Sequence, residues 1–577
     1  MRKRRRFASA LLALAMLSGC KAAAPTPTPT EPPKAEEGKL LALVPLDDRP
    51  DNVECAEYIA EMEGYNIVTP DKDLYSTKLN NQPLNKNGTQ YGNREKIFEW
   101  LLEMEDRGCD RYVISLDQLL SGGLVSSRAM TQSAPIKLPN GNSVSETELL
   151  NILMEALSKD ENNRVWLLDT VMRLAPTVGY LDWTSEDYDS IRAYASEPRQ
   201  ELDTLSAEGV KLNYRVGVDG TEIDFESFGM KSAKLADYLS ARERKLSLTD
   251  EMLNLVYARD NGIFRVLIGI DDSSEAESIQ KNEITYLNSR LREGDYLLSG
   301  VDDLEFKSIC RLYLDDISWS GADCELRYFG GLEDEPACIY DYRPLSEIVG
   351  EHFEFFALSE TERAKLQVLV LTKPADEKNK QSYCNELINA INENQKNEIP
   401  TILIDASDQQ YGSMFRDKLR KNADIGWLIG YAGFLDMAIV TGTALSRGIA
   451  RYAVLSEGKA DTASNEAYMR MMTDAVVRDF CYVGEVRAKV NDKVISSGGA
   501  TANFYEPECD VDALTDFMSN QMAKAASPVV RNLEKSSFIS LLDGYELSEW
   551  ENVELSGFNF PWNRAFEIRM DVLIGNN

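Results

Sequence analysis

The stretch FRVLIGIDD, residues 264–272, decides the fold. A short apolar run that ends in turn-forming residues is typical of a strand buried on both faces, as in a parallel sheet. Asp271 and Asp272 end this run. Ligands of parallel α/β folds bind beyond the carboxyl ends of the strands. The stretch therefore predicts a buried parallel strand that carries two carboxylates to the ligand-binding edge.

The same pattern recurs along the chain and sets the fold class. Other apolar runs end at Asp47 and Asp48, Asp117, Asp169, Asp302 and Asp303, Asp376 and Glu377, and Asp405. Helix-like segments lie between them, one of which opens with the capping box Ser145–Glu148. We expect helix capping to explain about half of these acids. The alternation predicts an α/β body over residues 39–480 with mostly parallel sheets, as two doubly wound lobes dividing near residue 250 or as one barrel-like body.

The two ends of the chain differ from this body. Residues 1–19 combine a basic start with a short apolar segment, typical of a signal peptide, and the segment runs into LSGC, residues 17–20. This ending resembles a lipoprotein cleavage site and predicts an acyl lipid such as palmitate on Cys20. Residues 20–38 are rich in Pro and Thr and predict a disordered tether. We expect anchoring to the extracytoplasmic face of the cell membrane. Residues 481–577 predict a small β-rich C-terminal unit.

The amino-acid composition limits the partners and the catalytic mechanisms that the chain can have. A formal net charge of −33 disfavours nucleic acid as a partner. His352 is the only histidine, so mechanisms that need a catalytic histidine, and metal sites rich in histidine, are disfavoured. Hydrolytic chemistry would then depend on carboxylates, or on a cation with oxygen ligands. No cofactor is predicted, with Ca²⁺ or Mg²⁺ left open.

Asp271 and Asp272 are the leading candidates for catalysis. Two neighbouring carboxylates drive their pKa values apart, which provides one acid and one base or nucleophile, as glycoside hydrolysis requires. Asp117 is the third candidate catalytic acid. Together with Glu275, the doublet could instead hold a hard cation. A simple helix cap is the structural alternative.

Substrate-binding candidates follow three other strand ends. Gly122 and Gly123 form a turn that could point backbone N–H groups at an oxygen-rich ligand, and Arg128 adds a planar fork. A flexible loop is the alternative. Arg173 is a similar candidate with fewer supporting residues around it.

Further binding candidates are Asp47, Asp48 and Arg49, and separately Tyr431. Arg49 could orient a substrate-gripping aspartate, or the group could form a local salt bridge with a helix cap. Tyr431 could stack on a sugar ring, although a core tyrosine is the default interpretation.

Several blocks together resemble one bacterial family. These are VPLDDRPDN, SLDQLLSGGLVSSR, VMRLAPT, GIDDSSEAESIQKNE, KPADE and YAGFLDMAIVTGTALSRGIAR. Over nearly all of the mature length, the chain resembles the family catalogued as domain of unknown function 4127. The resemblance implies membership and no particular reaction.

The residues therefore carry the functional prediction. We expect a surface-anchored lipoprotein that acts as a carbohydrate-active hydrolase through paired carboxylates, binding carbohydrate or another small polar ligand. One alternative is a glycan- or solute-binding lipoprotein without catalysis. The other is a metal-dependent hydrolase with an all-oxygen cation site.

Overall fold

The computed structural model describes residues 39–575 except 260, 274, 408, 434–436 and 500–508. The predicted signal peptide, the lipidation of Cys20 and the tether to residue 38 lie outside the described residues. The strands are β1 Lys39–Val44, β2 Tyr65–Val68, β3 Arg111–Ser115, β4 Ile136–Lys137, β5 Ser143–Val144, β6 Arg164–Val171, β7 Phe264–Ile270, β8 Tyr296–Ser299, β9 Ala322–Phe329, β10 Leu358–Glu360, β11 Leu366–Leu371, β12 Thr401–Asp405, β13 Leu428–Ala432, β14 Ser537–Leu541, β15 Glu546–Glu549, β16 Val553–Asn559 and β17 Arg569–Ile574.

Helices connect most of these strands. They are α1 Glu54–Met62, α2 Lys72–Tyr75, α3 Arg94–Asp106, α4 Leu116–Ser121, α5 Leu124–Ser127, α6 Glu146–Leu157, α7 Ser185–Ser196, α8 Ala207–Asn213, α9 Ser232–Arg259, α10 Gln280–Arg290, α11 Leu304–Asp316, α12 Leu345–Phe355, α13 Lys380–Lys396, α14 Gln409–Asn422, α15 Met437–Ser456, α16 Thr462–Val477, α17 Arg487–Ser496 and α18 Val511–Leu533. The capping box predicted at Ser145 and Glu148 is confirmed at the start of α6. No helix within the described residues is long and apolar enough to cross a membrane.

Two open parallel sheets form the body, which confirms the predicted α/β class. The first has the order β2-β1-β3-β6-β7-β8, and the second has the order β10-β9-β11-β12-β13. Each sheet thus places its first strand between its second and its third, the doubly wound order. The first sheet continues through β8, beyond residue 250, and the second begins at β9.

The apolar core follows from the alternation of side chains along each buried strand. In β1, Leu41 and Leu43 join a core cluster that also includes the strands of the second sheet, whereas Ala42 and Val44 join a cluster on the opposite face. Successive side chains of a strand point to opposite faces, so both faces of β1 are covered. Helices α1, α11, α15 and α16 pack against one another on the first of these faces.

The C-terminal region confirms a small β-rich unit in residues 537–574 and differs from the prediction before that unit. Residues 478–486 are π-helical, and α17 and α18 follow, so the β-rich prediction is wrong for the described residues between 481 and 533. Two antiparallel hairpins then form, β14 with β15 and β16 with β17. Val486, Val490 and Val494 recur every four residues, which puts them on one side of a strand or of a helix, and all three are buried. The second hairpin brings the segment between β16 and β17 to the first sheet.

Candidate functional site

A cavity of about 490 Å³ lies at the carboxyl edge of the first sheet. We call it the edge cavity. Turns that follow β1, β6, β7 and β8 form its floor. Three binding candidates and both members of the acidic doublet line it: Arg49, Arg128, Arg173, Asp271 and Asp272. The sheet therefore brings together side chains that are far apart in sequence, at the edge where parallel folds bind ligands.

Asp271 and Arg128 form a buried ion pair on this floor. Asp271 follows β7, Arg128 follows α5, and Nη2 of the arginine donates to Oδ2 of the carboxylate. The two side chains are 6% and 9% exposed. Burial raises the pKa of Asp271, Arg128 opposes that shift, and the nearby Asp272 adds to it. The ion pair therefore holds the Asp271 side chain in a buried position. The charges of Arg128 and Asp272 both influence its pKa there.

Asp272 faces the cavity more openly than Asp271. Its side chain is 23% exposed, and its Oδ2 lies 3.6 Å from Nη1 of Arg173. Its backbone N–H donates to Oδ1 of Asp271. The strand has ended at this point, so the two carboxylates have different environments. Asp272 is the member of the doublet that can reach a ligand.

Arg49 bridges two carboxylates at the other side of the floor. Its guanidinium donates to Asp47 at 2.8–3.0 Å and to both oxygens of Asp302 at 2.8 and 2.6 Å. Its charge also lies over the ring of Trp562, 4.8 Å from the centroid. Burial opposes ionisation of Asp302, yet Arg49, Arg128 and Arg173 together lower its pKa. For Asp47, burial prevails and the pKa is raised.

Asp48 connects two segments of the chain and does not line the edge cavity. Its Oδ1 accepts hydrogen bonds from the backbone N–H of Thr77 at 3.0 Å and from Nε1 of Trp562 at 2.9 Å. It is buried and does not line the edge cavity. It joins the turn after β1 to the C-terminal segment that covers the cavity.

The glycine pair ends a helix. Gly122 (φ 81°) is the C-cap of α4, and its N–H donates to Gln118 O, while the N–H of Gly123 donates to Asp117 O. A Cβ at Gly122 would lie 2.8 Å from the ring of Tyr91. The helix end requires this backbone conformation. Both amides are already used in the turn, so they are not the anion cradle that the sequence predicted.

Asp117 is buried away from the edge cavity. It accepts hydrogen bonds from Lys245 Nζ of α9 at 2.5 Å and from Thr170 at 2.8 Å. Lys245 also binds Asp169, and its pKa is raised by these two carboxylates against the effect of burial. The side chain thus belongs to a buried ionic cluster between α9 and the first sheet, because the chain turns into α4 directly after β3.

Tyr431 lies in the second sheet, in β13, and is fully buried. Its ring packs against Phe480 with 5.7 Å between centroids. Burial raises the pKa of its hydroxyl, and Asp479 and Asp405 add to that shift. It does not line the edge cavity, and its environment matches the core-tyrosine alternative.

Sequence reasoning missed the residues that cover the cavity. Trp562, Phe566 and Glu567 come from the segment between β16 and β17, and Tyr340 and Tyr342 come from the segment before α12. The N–H of Ser273, next to the doublet, donates to Tyr340 O at 2.9 Å. The aromatic-rich run FNFPWNRAF, residues 558–566, was the one available signal for the C-terminal part.

Glu567 is the most notable of the missed residues. It is 2% exposed yet lines the cavity, and burial raises its pKa to about 8, with Arg49 opposing the shift. Burial thus favours the protonated form of Glu567, whereas the arginines favour the ionised form of Asp302. Carboxyl groups with such different environments are the arrangement that general acid–base catalysis uses.

No group of three or more His, Cys, Asp or Glu side chains is placed to hold a metal ion in the residues that the structure describes. The partners of Asp271 and Asp272 are arginines instead. Guanidinium groups supply the positive charge that a cation would supply at this edge.

Comparison with known proteins and protein families identifies the family of the chain. No curated protein and no solved structure matches the chain. A family model, described as protein of unknown function (DUF4127), matches residues 41–571, which include every residue of the edge cavity and both sheets except the first two residues of β1. The chain therefore belongs to the family of proteins of unknown function DUF4127.

Proposed function

We propose that the chain is a carbohydrate-active hydrolase that works with carboxylates in the edge cavity. The observation that carries this proposal is that a buried acid with a raised pKa, Glu567, and the partly exposed Asp272 line one cavity. Glu567 would protonate the leaving oxygen of a glycosidic bond. Asp272 would act as the base or nucleophile.

The walls of the cavity support a sugar as the ligand. Tyr188, Tyr340 and Tyr342 are half-buried on its lining, so each can offer an aromatic face to a sugar ring. Hydroxyl groups both donate and accept hydrogen bonds, which suits a lining that alternates arginine and aspartate. A cavity of about 490 Å³ is of the size that small-molecule sites have.

A binding protein without catalysis is the second candidate. It is favoured by the ion pairs that hold Asp271 and Asp302 to arginines, since a paired carboxylate is a weaker base. A two-sheet α/β body at the end of a lipid-anchored tether would also suit a receptor for solutes.

One experiment separates these functions. The full chain is incubated with a panel of glycans, with and without a chelator, and both binding and newly formed reducing ends are measured. We expect bond cleavage that the chelator does not change. Binding without cleavage would favour the second candidate. Cleavage that the chelator abolishes would favour the metal-dependent hydrolase.

We also propose that the chain is anchored through lipid on Cys20 to the extracytoplasmic face of the membrane. The sequence of residues 1–38 supports this proposal. Partition into detergent should be lost on Cys20→Ser substitution. Detergent partition that the substitution leaves unchanged would contradict the anchor.

A further inference from the structure

The edge cavity brings several arginines together in a strongly acidic molecule. The chain carries a formal net charge of −33, yet five arginines line this cavity: Arg49, Arg128, Arg173, Arg343 and Arg564. Its described lining contains no lysine. Arginine differs from lysine in presenting a planar fork of donors that fits a carboxylate in two-point contact.

The acids of the lining balance this charge, since five aspartates line the cavity with the five arginines: Asp189, Asp271, Asp272, Asp302 and Asp341. Three of the lining carboxylates are paired with arginines, Asp271 with Arg128, Asp302 with Arg49 and, at 3.6 Å, Asp272 with Arg173. Burial raises the pKa of Glu567 to about 8, which favours its neutral form. The lining is therefore close to neutral, and an anion can enter it where the rest of the surface repels one.

Two of the arginines keep donors for a ligand. Arg128 is 9% exposed and uses only Nη2, toward Asp271. In the described part of the chain, its Nε and Nη1 have no hydrogen-bond partner. Arg173 uses Nε and Nη2 for Ala175, Pro176 and Thr177, which leaves Nη1 with only the long ion pair to Asp272.

Arg49 differs from Arg128 and Arg173 in its hydrogen bonding, because all three of its guanidinium nitrogens donate to carboxylates. A buried guanidinium with unused donors is costly unless a ligand or water satisfies it. The charges of Arg128 and Arg173 also interact with each other, which lowers the pKa of Arg128 beyond the effect of burial. An anion between the two would relieve both costs.

We propose that the glycan bound in the edge cavity carries a carboxylate, as oligosaccharides of uronic acids do, and that this carboxylate accepts hydrogen bonds from Nη1 of Arg128 and of Arg173. The inference rests on the proposed carbohydrate function and names its substrate class. A singly charged planar carboxylate fits better than a phosphate, because Asp271, Asp272 and Asp302 repel a doubly charged group more strongly.

The test compares matched ligands in which a methyl ester replaces the charged carboxylate. Oligosaccharides of galacturonic, glucuronic and mannuronic acid are each paired with their methyl esters, and binding to the full chain is measured by calorimetry at low salt. We expect at least one acid to bind about tenfold more tightly than its ester, the effect of one or two charge-assisted hydrogen bonds. The proposal is overturned if no acid binds more tightly than its ester.

Substitutions test whether Arg173 is responsible for the tighter binding of the acid. Arg173→Gln should reduce binding of the acid about tenfold and binding of the ester by a smaller factor, since the ester lacks the charge. Because Asp272 is partly exposed, this variant should fold even if Arg128→Gln does not. Arg265→Gln is the matched control, since Arg265 is in β7 and lines a separate cavity at the amino ends of β6 and β7. Equal losses in the two variants would contradict the proposal.

Two further outcomes would distinguish a failure of this inference from a failure of the proposed hydrolase function. Cleavage of neutral glycans without preference for acids would overturn the inference alone. Tight binding of an acid without cleavage would overturn the hydrolase and support the inference. Dextran sulfate that competes as well as the best acid would overturn the assignment of a carboxylate.

Discussion

Glu567 is the residue whose protonation links structure to activity. It is buried at the cavity and has a pKa of about 8. If it is the general acid, kcat/KM should fall as pH rises through about 8, because the proton that the leaving group needs is then lost. Glu567→Gln should lower turnover about 10²–10⁴-fold. Glu546→Gln, at an exposed position of β15, is the control and should retain turnover.

The same residue predicts how stability depends on pH. The folded protein keeps the proton of Glu567 up to about pH 8, whereas the unfolded chain releases it near the ordinary value of 4.5. The unfolded state therefore binds fewer protons in this window, and stability falls as pH rises through it. Between pH 5 and 8, the free energy of unfolding of the wild type should decrease relative to that of Glu567→Gln. Parallel curves would contradict the burial of this carboxyl group.

The buried ion pair of Arg128 and Asp271 allows a further prediction about stability at the scale of single residues. Arg128→Met leaves the Asp271 carboxylate buried without its partner, which should lower the free energy of unfolding by about 3–5 kcal/mol. Adding Asp271→Asn removes the uncompensated charge and should restore part of that loss. Urea denaturation of the two single variants and the double variant measures this coupling. Additive losses would show that the pair does not interact.

At the scale of elements, α9 is attached to the first sheet by the buried cluster of Asp117, Asp169 and Lys245. Lys245→Met would leave two buried carboxylates together and should cost about 3–5 kcal/mol of stability. Lys96→Met removes an exposed pair with Glu99 on α3 and should cost less than about 1 kcal/mol. Chemical denaturation compares the two variants. Equal costs would show that the cluster is not structurally important.

Elements could be predicted where one physical signal dominates. The acid-ended apolar runs gave the parallel strands correctly, since burial on both faces leaves a continuous apolar pattern. The region from 481 failed because valines spaced as Val486, Val490 and Val494 fit a helix as well as a strand, and packing against α18 decides between them. Strand β9, the first strand of the second sheet, lacks the continuous apolar pattern because its sequence ADCELRYF includes three charged residues.

The whole molecule determines which of the predicted site residues meet. Arg128, Arg173, Asp271 and Asp272 could be predicted as neighbours because parallel strands end at one edge. Asp117 could not be separated from them, since the burial of Lys245 beside it depends on the path of α9. Glu567 could not be predicted either, because the second hairpin places it at the cavity only after the chain has formed both sheets.

The most direct measurement of the central claim is made on Asp272→Asn in the full chain. Turnover and binding of the best glycan are compared with those of the wild type and of Asp512→Asn, which changes an exposed acid in the first turn of α18. We predict that Asp272→Asn lowers turnover at least about 100-fold while the Kd changes little, since a base or nucleophile acts mainly in the transition state. Turnover that survives in Asp272→Asn as it does in Asp512→Asn would contradict the assignment of the edge cavity as a hydrolytic site.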